Sequence, residues 1–573
     1  MVCIDAIGTA EYDVGMYLRT TTRRAADGTL VRYLQLAHNE WDPAARRSKV
    51  RVLYHFGRED ELDRDAIRRL IGSLSRALPP GEALVAAAPS ELAFLESRPL
   101  GGAWALDQLW RKLGLPEILA RALRGRRLDP AAERALFAMV ANRALRPLSK
   151  LSCAAWASEL AAVPGLDTLT DDACYRAMDW LLAIEAEIAQ QVYWATATLL
   201  NLEVDLLFFD TTSTYFETDE ADPPSDGAPK GFRAFGHSKD HRSDLPQVVI
   251  GLAVTRTGIP IRVWTFPGNT ADQALIRAVK DDLLAWKLGR VVWVTDRGFA
   301  SARNRRYLQR AGGHYISGEK LRSESAEARA ALARQGRYHV VAGNLEVKEV
   351  VLDEGTMRDR FVVCRNPDEA VRDAAVRDRL LAQLEAAIAE SDDLDPAARS
   401  KLACDLRATP TNRRFLRTSK AGLLRIDRAA VAADAKLDGK FLLRTSDPTL
   451  SAADVATGYK QLLEVERGWR DMKTTLDLRP VYHRKEQRIR SHVLLCWLAL
   501  LLVRIAENAA GETWRNLRTE LEKCHLVRFA GSAGDVLQRT ELTTRQAAIL
   551  RALDVPEPPR IFGLAPAEAA ATA

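Results

Sequence analysis

The sequence predicts an α/β fold: a sheet with a helical crossover, preceded by a small β unit and a helical stretch, and interrupted by a mostly-β insertion. Three observations predict it. Two apolar runs of strand length, VDLLFFD and GRVVWVTD, each end in an aspartate, Asp210 and Asp296. Between them, DLPQVVIGLAVTRTGIPIRVWTF reads as two strands joined at Gly258. The segment ADQALIRAVKDDLLAWKLG then shows the 3.6-residue period of an amphipathic helix, and strands alternating with such a helix make a sheet with a crossover on its face.

The elements follow in order. Residues 1–60 form a small N-terminal β unit: MYLRTTTRR, TLVRYLQLAHNEW and KVRVLYHFG are rich in β-branched and aromatic residues, and the first two flank an Asp27-Gly28 turn. Residues 61–200 are helical, with apolar positions every three or four residues, and RKLGLPEILARALRGRR adds basic residues that suit a DNA-binding helical domain. Residues 201–320 are the first part of the sheet. Residues 321–445 interrupt it as a β-rich insertion domain, with YHVVAG, LEVKEVVLDEG and RFVVCRN as antiparallel strands, a charged helix near 368–390, and FLLRTSD as a further strand. Residues 446–510 return to the core with a long helix opened by a Ser451–Asp454 capping box. Residues 511–573 form a C-terminal helical region and a Pro/Ala-rich tail, expected to be disordered after about residue 555. There are no internal repeats.

Composition narrows the class. Of 573 residues, 47% are hydrophobic and 28% charged, a globular balance. A net charge of +6 is a weak excess over this length, so only local clustering of basic residues can point to nucleic acid. The start lacks the basic and apolar regions of a secretory signal. The longest apolar run, Val493 to Val503, is shorter than a membrane span and is closed by Arg504, so it reads as a buried helix. Seven scattered cysteines without a CxxC pair suit reduced thiols in a cytoplasm and argue against a zinc site or a disulfide framework.

Asp210 and Asp296 carry the chemical interest. A carboxylate at the end of an apolar strand does nothing for the core, and buried without a partner it would cost several kcal/mol. Strand ends in α/β sheets are where ligand sites gather. Either aspartate alone reads equally well as a turn or cap residue. The third feature is YKQLLEVERGWRDMK, residues 459–473, in which Tyr459, Glu466 and Lys473 stand seven apart. Seven steps of about 100° nearly complete two turns, so Tyr459, Leu462, Glu466, Trp469 and Lys473 share one helix face. Taken alone, this is an ordinary amphipathic helix.

The motifs together resemble a large group of bacterial insertion-sequence DDE transposases with the signature Y-x2-R-x3-E-x6-K. This chain has Y-x2-L-x3-E-x6-K, with Leu462 in the arginine place. FFDTTSTYFE and VVWVTDRGF resemble the group's two aspartate motifs. HSKDHRSDLPQVVIGLAV, GKFLLRTSD and RPVYHRKEQRIRSHVLLCWLALLL resemble segments around them, over roughly residues 205–505. The resemblance implies an RNase H-like catalytic core, with aspartates on adjacent strands, a glutamate on a later helix and a β-rich insertion between. It also selects Glu466 over Glu464.

The implied chemistry is DNA cleavage followed by transfer of the freed 3′-hydroxyl to target DNA. Asp210, Asp296 and Glu466 would be both catalytic residues and metal ligands. Their oxygens suit Mg²⁺ or Mn²⁺, and two ions would serve an in-line phosphoryl transfer. Tyr459 and Lys473 would hold phosphates of the transposon ends. The segment RPVYHRKEQRIR holds five Arg/Lys against one Glu, which makes Arg484, Lys485 and Arg488 candidates for a phosphate track, with a solvated helix face as the alternative. His237, Lys239 and Arg242 follow the first aspartate motif and are further candidates to face DNA. The implied partners are transposon ends and target DNA, bridged by a homodimer, with no membrane. No nucleotide cofactor is expected: GHYISGEK lacks the lysine directly after the second glycine that a phosphate loop needs. Two other readings stay open, an RNase H-like nuclease without strand transfer and a transposase-derived, non-catalytic DNA-binding protein.

Overall fold

The computed structural model describes residues 16–24, 29–42, 47–75, 93–124, 131–200, 205–225, 229–286, 288, 290–322, 325–354, 357–531 and 534–566. They divide into a small unit, which runs to Phe94 and includes residues 529–531, 534–535 and 565–566, and a large unit, Leu95–Arg528 with Val536–Leu564.

In the small unit the strands Tyr17–Arg24, Leu30–Asp42 and Arg47–Arg58 form one antiparallel sheet in that order. They fall on the three β-branched runs of the sequence. The Asp27-Gly28 turn lies outside the described residues. The sheet has little core of its own: Ala37 is buried, whereas Leu18, Leu30 and Tyr54 are exposed. Helix Arg64–Ser75 follows.

The large unit is organised by a nine-stranded sheet. Its first three strands in the chain, Leu206–Tyr215, Gln247–Val254 and Pro260–Pro267, form an antiparallel meander. Helix Asp272–Leu284 then crosses over, burying Leu275, Ile276, Val279 and Leu283. That spacing is the apolar stripe read from the sequence. The crossover returns the chain as Val292–Thr295, parallel to Leu206–Tyr215, and His314–Glu319 lies parallel beyond it. Every residue of Gln247–Val254 is buried. A strand covered on both faces needs a continuous apolar run, not an alternating one.

Helix Glu486–Ala510 is the centre of the core. Nearly every residue from Ile489 to Glu507 is buried, and helices Ala132–Leu145 and Asp171–Ala183 and strand Pro260–Pro267 pack against it. It is long and apolar enough to cross a membrane, but 83% of its apolar window is buried inside the protein, which makes it a core helix. Polar ties fix its neighbours: Ser491 Oγ donates to the Met178 carbonyl at 2.7 Å, and the Trp514 indole donates to the Ala144 carbonyl at 2.8 Å.

Three expectations need correction. The strand carrying Asp210 does not end there but runs on to Tyr215, because Thr211–Tyr215 keep pairing with Gln247–Gly251. Residues 321–445 are not a mostly-β insertion. Their strands Leu345–Glu354, Met357–Arg365 and Lys440–Thr445 continue the core sheet, and Lys440–Thr445 pairs with His314–Glu319. The same segment holds helices Pro367–Ser391 and Pro396–Ala408, each capped by an Asn or Asp with proline in its first turn. The helices of residues 95–200, whose basic segment suggested a DNA-binding domain, share the core of the large unit, and Arg126 and Arg127 of that segment lie outside the described residues. Helices Gly101–Lys112 and Leu115–Leu123 turn at Gly114, whose left-handed φ of 65° suits glycine. There Arg111 pairs with Asp107 and Lys112 with Asp554. Finally, the C-terminal region is mixed: besides helices Trp514–Leu521 and Thr544–Ala552 it has strands His525–Gly531, Gly534–Arg539 and Ile561–Pro566. The tail expected to be disordered is ordered to Pro566, helped by the Trp104 indole, which donates to the Pro556 carbonyl at 2.8 Å. Residues 567–573 lie outside the described set.

Leu500 is fully buried in the core helix. Its truncation to alanine leaves a cavity among packed neighbours, so Leu500→Ala should cost about 2–5 kcal/mol. Urea unfolding should show the loss as a lower midpoint; an unchanged midpoint would show that the helix is not the centre of the core.

Candidate active site

The two aspartates are brought together by strand register. Leu206–Tyr215 and Val292–Thr295 run parallel, with Phe209 opposite Thr295. Asp210 and Asp296 are the next residues on each, one strand spacing of about 4.8 Å apart at the backbone. Side chains alternate along Leu206–Tyr215, and the flanking Phe209 is fully buried while Asp210 is partly buried, with its carboxylate reaching the surface. Asp296 follows its strand directly and opens the short turn Arg297–Phe299.

Each carboxylate has a distinct set of contacts. Asp296 Oδ1 accepts a hydrogen bond of 3.0 Å from the Tyr459 hydroxyl. Burial first, then the charge of Asp296, pushes the Tyr459 hydroxyl pKa up, so it remains a donor. Gly318 makes this contact possible: a Cβ there would stand 2.3 Å from the Tyr459 oxygen. Asp210 faces Lys239, whose Nζ is 3.7 Å from its Oδ1. Burial pushes the Asp210 carboxyl pKa up, Lys239 opposes that rise, and the neighbouring charges of Asp272 and Asp296 add to it.

Lys239 lies in a small polar cage. It donates to the Thr211 carbonyl at 2.7 Å and to Thr211 Oγ1 at 2.6 Å, and stands 3.3 Å from Asp272 Oδ2. Thr211 Oγ1 in turn donates to Asp272 Oδ1 at 2.7 Å. The sequence gives little sign of Asp272: an acid in the first turn of a helix reads as a favourable interaction with the helix dipole.

The helix bearing Glu466 is broken. Ala452–Lys460 ends at a turn through Gln461 and Leu462, and Leu463–Thr474 begins a second helix. The turn is tightened by i+3 bonds such as Leu462 N–H to the Tyr459 carbonyl, so counting 100° per residue across it fails. The five residues expected on one face divide accordingly. Leu462 and Trp469 are buried, Tyr459 and Lys473 are half-buried, and Glu466 is exposed. Glu464 is turned elsewhere, with its carboxylate against Gly258 at the turn after Gln247–Val254. Among the described residues no three His, Cys, Asp or Glu side chains stand together as a metal cage. The donor chemistry nonetheless fits a hard divalent cation. Asp210 and Asp296 offer oxygen only, and the crowded negative charge around Asp210 favours a positive partner.

The remaining candidates separate by what they touch. Lys473 donates to Asp240 Oδ1 at 2.8 Å, and Arg479 meets Oδ2 of the same aspartate at 2.9 Å. Arg242 is bound to Asp244 and lies over the Tyr215 ring. Arg488 pairs with Asp179 and stacks on Tyr175. His237, Arg484 and Lys485 are exposed, and Arg484 and Lys485 have no ion-pair partner among the described residues. Beside Asp296 a cleft of about 410 Å³ opens, lined by Arg297, Lys320, Arg322, Lys440 and the stacked rings of Phe441 and Tyr459.

Residues 209–502, just over half the chain, match the family model of the transposase DDE domain. The chain belongs to the DDE transposases. Residues 18–84 match the N-terminal domain of IS1634 family transposases, so the small unit belongs to an insertion-sequence transposase as well. The chain is also similar to the solved piggyBac transposase synaptic complex with hairpin DNA, at 12% identity and a TM-score of 0.31, covering 73% of this chain and 77% of that one, a likeness too distant to carry an argument. No curated protein matches. The transposase is therefore an insertion-sequence enzyme that binds, cleaves and joins DNA with divalent metal ions, on an RNase H-like α/β core.

The Tyr459 contact yields a test. Tyr459→Phe removes one hydrogen bond to Asp296 and keeps the ring packed on Phe441. Cleavage should fall by about 10–100-fold, as for loss of an orienting partner of a metal ligand, with DNA binding unchanged. Weakened DNA binding at an unchanged cleavage rate would instead make Tyr459 a phosphate contact.

Proposed function

We propose that Asp210, Asp296 and Glu466 hold two Mg²⁺ ions and that this transposase belongs to the group with the Y-R-E-K signature. The observation that carries the reading is the matched position of Asp210 and Asp296 on neighbouring parallel strands. Bound Mg²⁺ would activate an attacking oxygen and stabilise the leaving one in an in-line displacement at phosphorus. The protein's own groups do the rest. Tyr459 fixes the Asp296 carboxylate through its hydroxyl. Glu466, exposed and next to Tyr459, is the third ligand. Glu464 is set aside because its carboxylate lies against the Gly258 turn.

DNA contact is assigned to the cations left available. Arg484 and Lys485, at the start of the core helix, suit successive phosphates. The cleft beside Asp296, with basic residues and a stacked aromatic pair, suits a DNA strand entering the site. Lys473 and Arg479 share one aspartate, which leaves one net positive charge for a phosphate. His237 and Arg242 border the same region. Leu462, buried in the arginine place of the signature, makes no such contact. The enzyme acts in the cytoplasm as a homodimer that bridges two transposon ends.

A mini-transposon with both ends tests the reading. Asp210→Ala, Asp296→Ala and Glu466→Gln should each lower Mg²⁺-dependent cleavage and strand transfer by more than about 100-fold while end binding persists, and Glu464→Gln should retain both activities. Near wild-type cleavage by any of the first three removes that residue from the set. In salt titrations of end binding, Arg484→Ala with Lys485→Ala should reduce the log–log slope by about 1–2. An unchanged slope would show that neither residue meets a phosphate.

A further inference from the structure

We propose that Lys239 is a built-in cation of the metal site: its ammonium is shared by Asp210 and Asp272 in the metal-free enzyme, and a divalent ion must displace it from Asp210 to bind there. This rests on the reading of Asp210 as a metal ligand.

The placement is specific. Lys239 follows the first aspartate motif by a loop, and that loop is pinned back onto the aspartate strand. The backbone N–H of Lys239 donates to Ser213 Oγ at 3.0 Å, and Ser238 Oγ accepts the N–H groups of Asp240 and Arg242 at 3.2 and 3.1 Å. Ser213 lies three residues beyond Asp210 on the same strand. The loop therefore cannot swing freely, and the lysine stem reaches back along the strand.

At its end the ammonium finds four oxygens. Thr211 supplies its carbonyl and its hydroxyl, Asp272 stands at 3.3 Å and Asp210 at 3.7 Å. This is the kind of oxygen set a hard cation prefers, filled here by an ammonium. Asp272 is brought in by the first turn of the crossover helix and locked by the Thr211 hydroxyl. Two carboxylates face one lysine, so the pocket keeps a net negative charge with the lysine present. The hydrogen bonds to Thr211 and the ion pair to Asp272 are shorter than the contact to Asp210. Lys239 can thus yield Asp210 and keep its other partners. Asp272 acts as the anchor that receives the ammonium, a positioning residue that acts through Lys239.

The two groups pull the metal affinity in opposite directions. Without Lys239, Asp210 has no internal cation, and a divalent ion meets less competition. With Asp272 neutralised, the ammonium has only Asp210 to pair with, and the ion meets more. A lysine that served as a DNA phosphate contact would produce neither effect in the absence of DNA.

The test is thermal melting of the full-length protein without DNA, across titrations of MgCl₂, MnCl₂ and CaCl₂ from a chelated baseline. Ligand binding to the folded state raises stability as RT ln(1 + c/Kd) at metal concentration c, so fitting the melting temperatures to this relation gives the metal concentration of half-occupancy, the midpoint compared among the variants. Lys239→Ala should melt lower than wild type in chelator and show a midpoint at a metal concentration about 10-fold lower. Asp272→Asn, which keeps an oxygen for the Thr211 hydroxyl, should need more metal than wild type. Lys239→Arg, which retains the charge, should stay near the wild-type midpoint. An unchanged or higher midpoint in Lys239→Ala overturns the proposal, and so does a weaker salt dependence of DNA binding with no change in metal response. If Lys239→Ala does not fold, Asp272→Asn decides: a midpoint that does not rise overturns it. Asp210→Ala separates this inference from the one beneath it. If wild type and Asp210→Ala respond identically to metal, Asp210 is not a ligand and both readings fall. If they differ and Lys239→Ala leaves the midpoint in place, only the role of Lys239 falls.

Discussion

Everything at the candidate site depends on the parallel pairing of Leu206–Tyr215 with Val292–Thr295. That ladder ends with Phe209 opposite Thr295, and the next residue on each strand is an aspartate. A slip of one residue would turn one of the two side chains to the other face of the sheet. Register is held by apolar contacts, not by the carboxylates: Leu207, Phe208, Phe209, Val292, Trp293 and Val294 are all buried. The hydrophobic core thus sets the distance between two like charges that would otherwise drift apart, and the Phe209 ring packs edge-on against Phe299, just past the second aspartate. The cost of holding the carboxylates together is offset by packing elsewhere.

The second theme is how the basic residues are distributed. A formal charge of +6 says little, because most cations near the site are already engaged. Lys239 serves Thr211 and Asp272, Lys473 and Arg479 share Asp240, and Arg488 leans on Asp179. An ion pair with low exposure, such as Lys473–Asp240, is poorly screened and holds its geometry better than surface pairs do. The site is therefore braced by its own salt bridges before any nucleic acid arrives. Arg484 and Lys485, with Arg297, Lys320 and Lys440 along the cleft, mark the faces where phosphates can be met, whereas Arg322 in the same cleft is held by Asp434.

Much of this was legible in the sequence, for physical reasons. The apolar strands, the crossover helix and the core helix each follow from periodicity, though the strand of Asp210 runs on past its charge to Tyr215. The tyrosine–glutamate–lysine spacing located the helix beside the aspartates but not its geometry, because a tight turn at Gln461–Leu462 interrupts the 3.6-residue period. The insertion was misread since strands are recognised locally, whereas their membership in a sheet is set by pairing across the chain; nothing near Phe441 announces His314–Glu319 as its neighbour. Lys239 looked like a DNA contact because a lysine after an aspartate motif carries no mark of which way it folds back. Asp272 was invisible for the opposite reason, since its position at a helix start already explains an acid. Gly318, dismissed with a false phosphate loop, turned out to leave room for the Tyr459 hydroxyl.

The core helix Glu486–Ala510 has a consequence for synthesis. It comes late in the chain, yet helices Ala132–Leu145 and Asp171–Ala183 and the strand Pro260–Pro267 all bury apolar faces against it. Those faces leave the ribosome hundreds of residues before their common partner does. Until that helix emerges the nascent chain carries an unfinished core, a state open to chaperones and to aggregation. A product cut short before residue 486 would have no centre to close on.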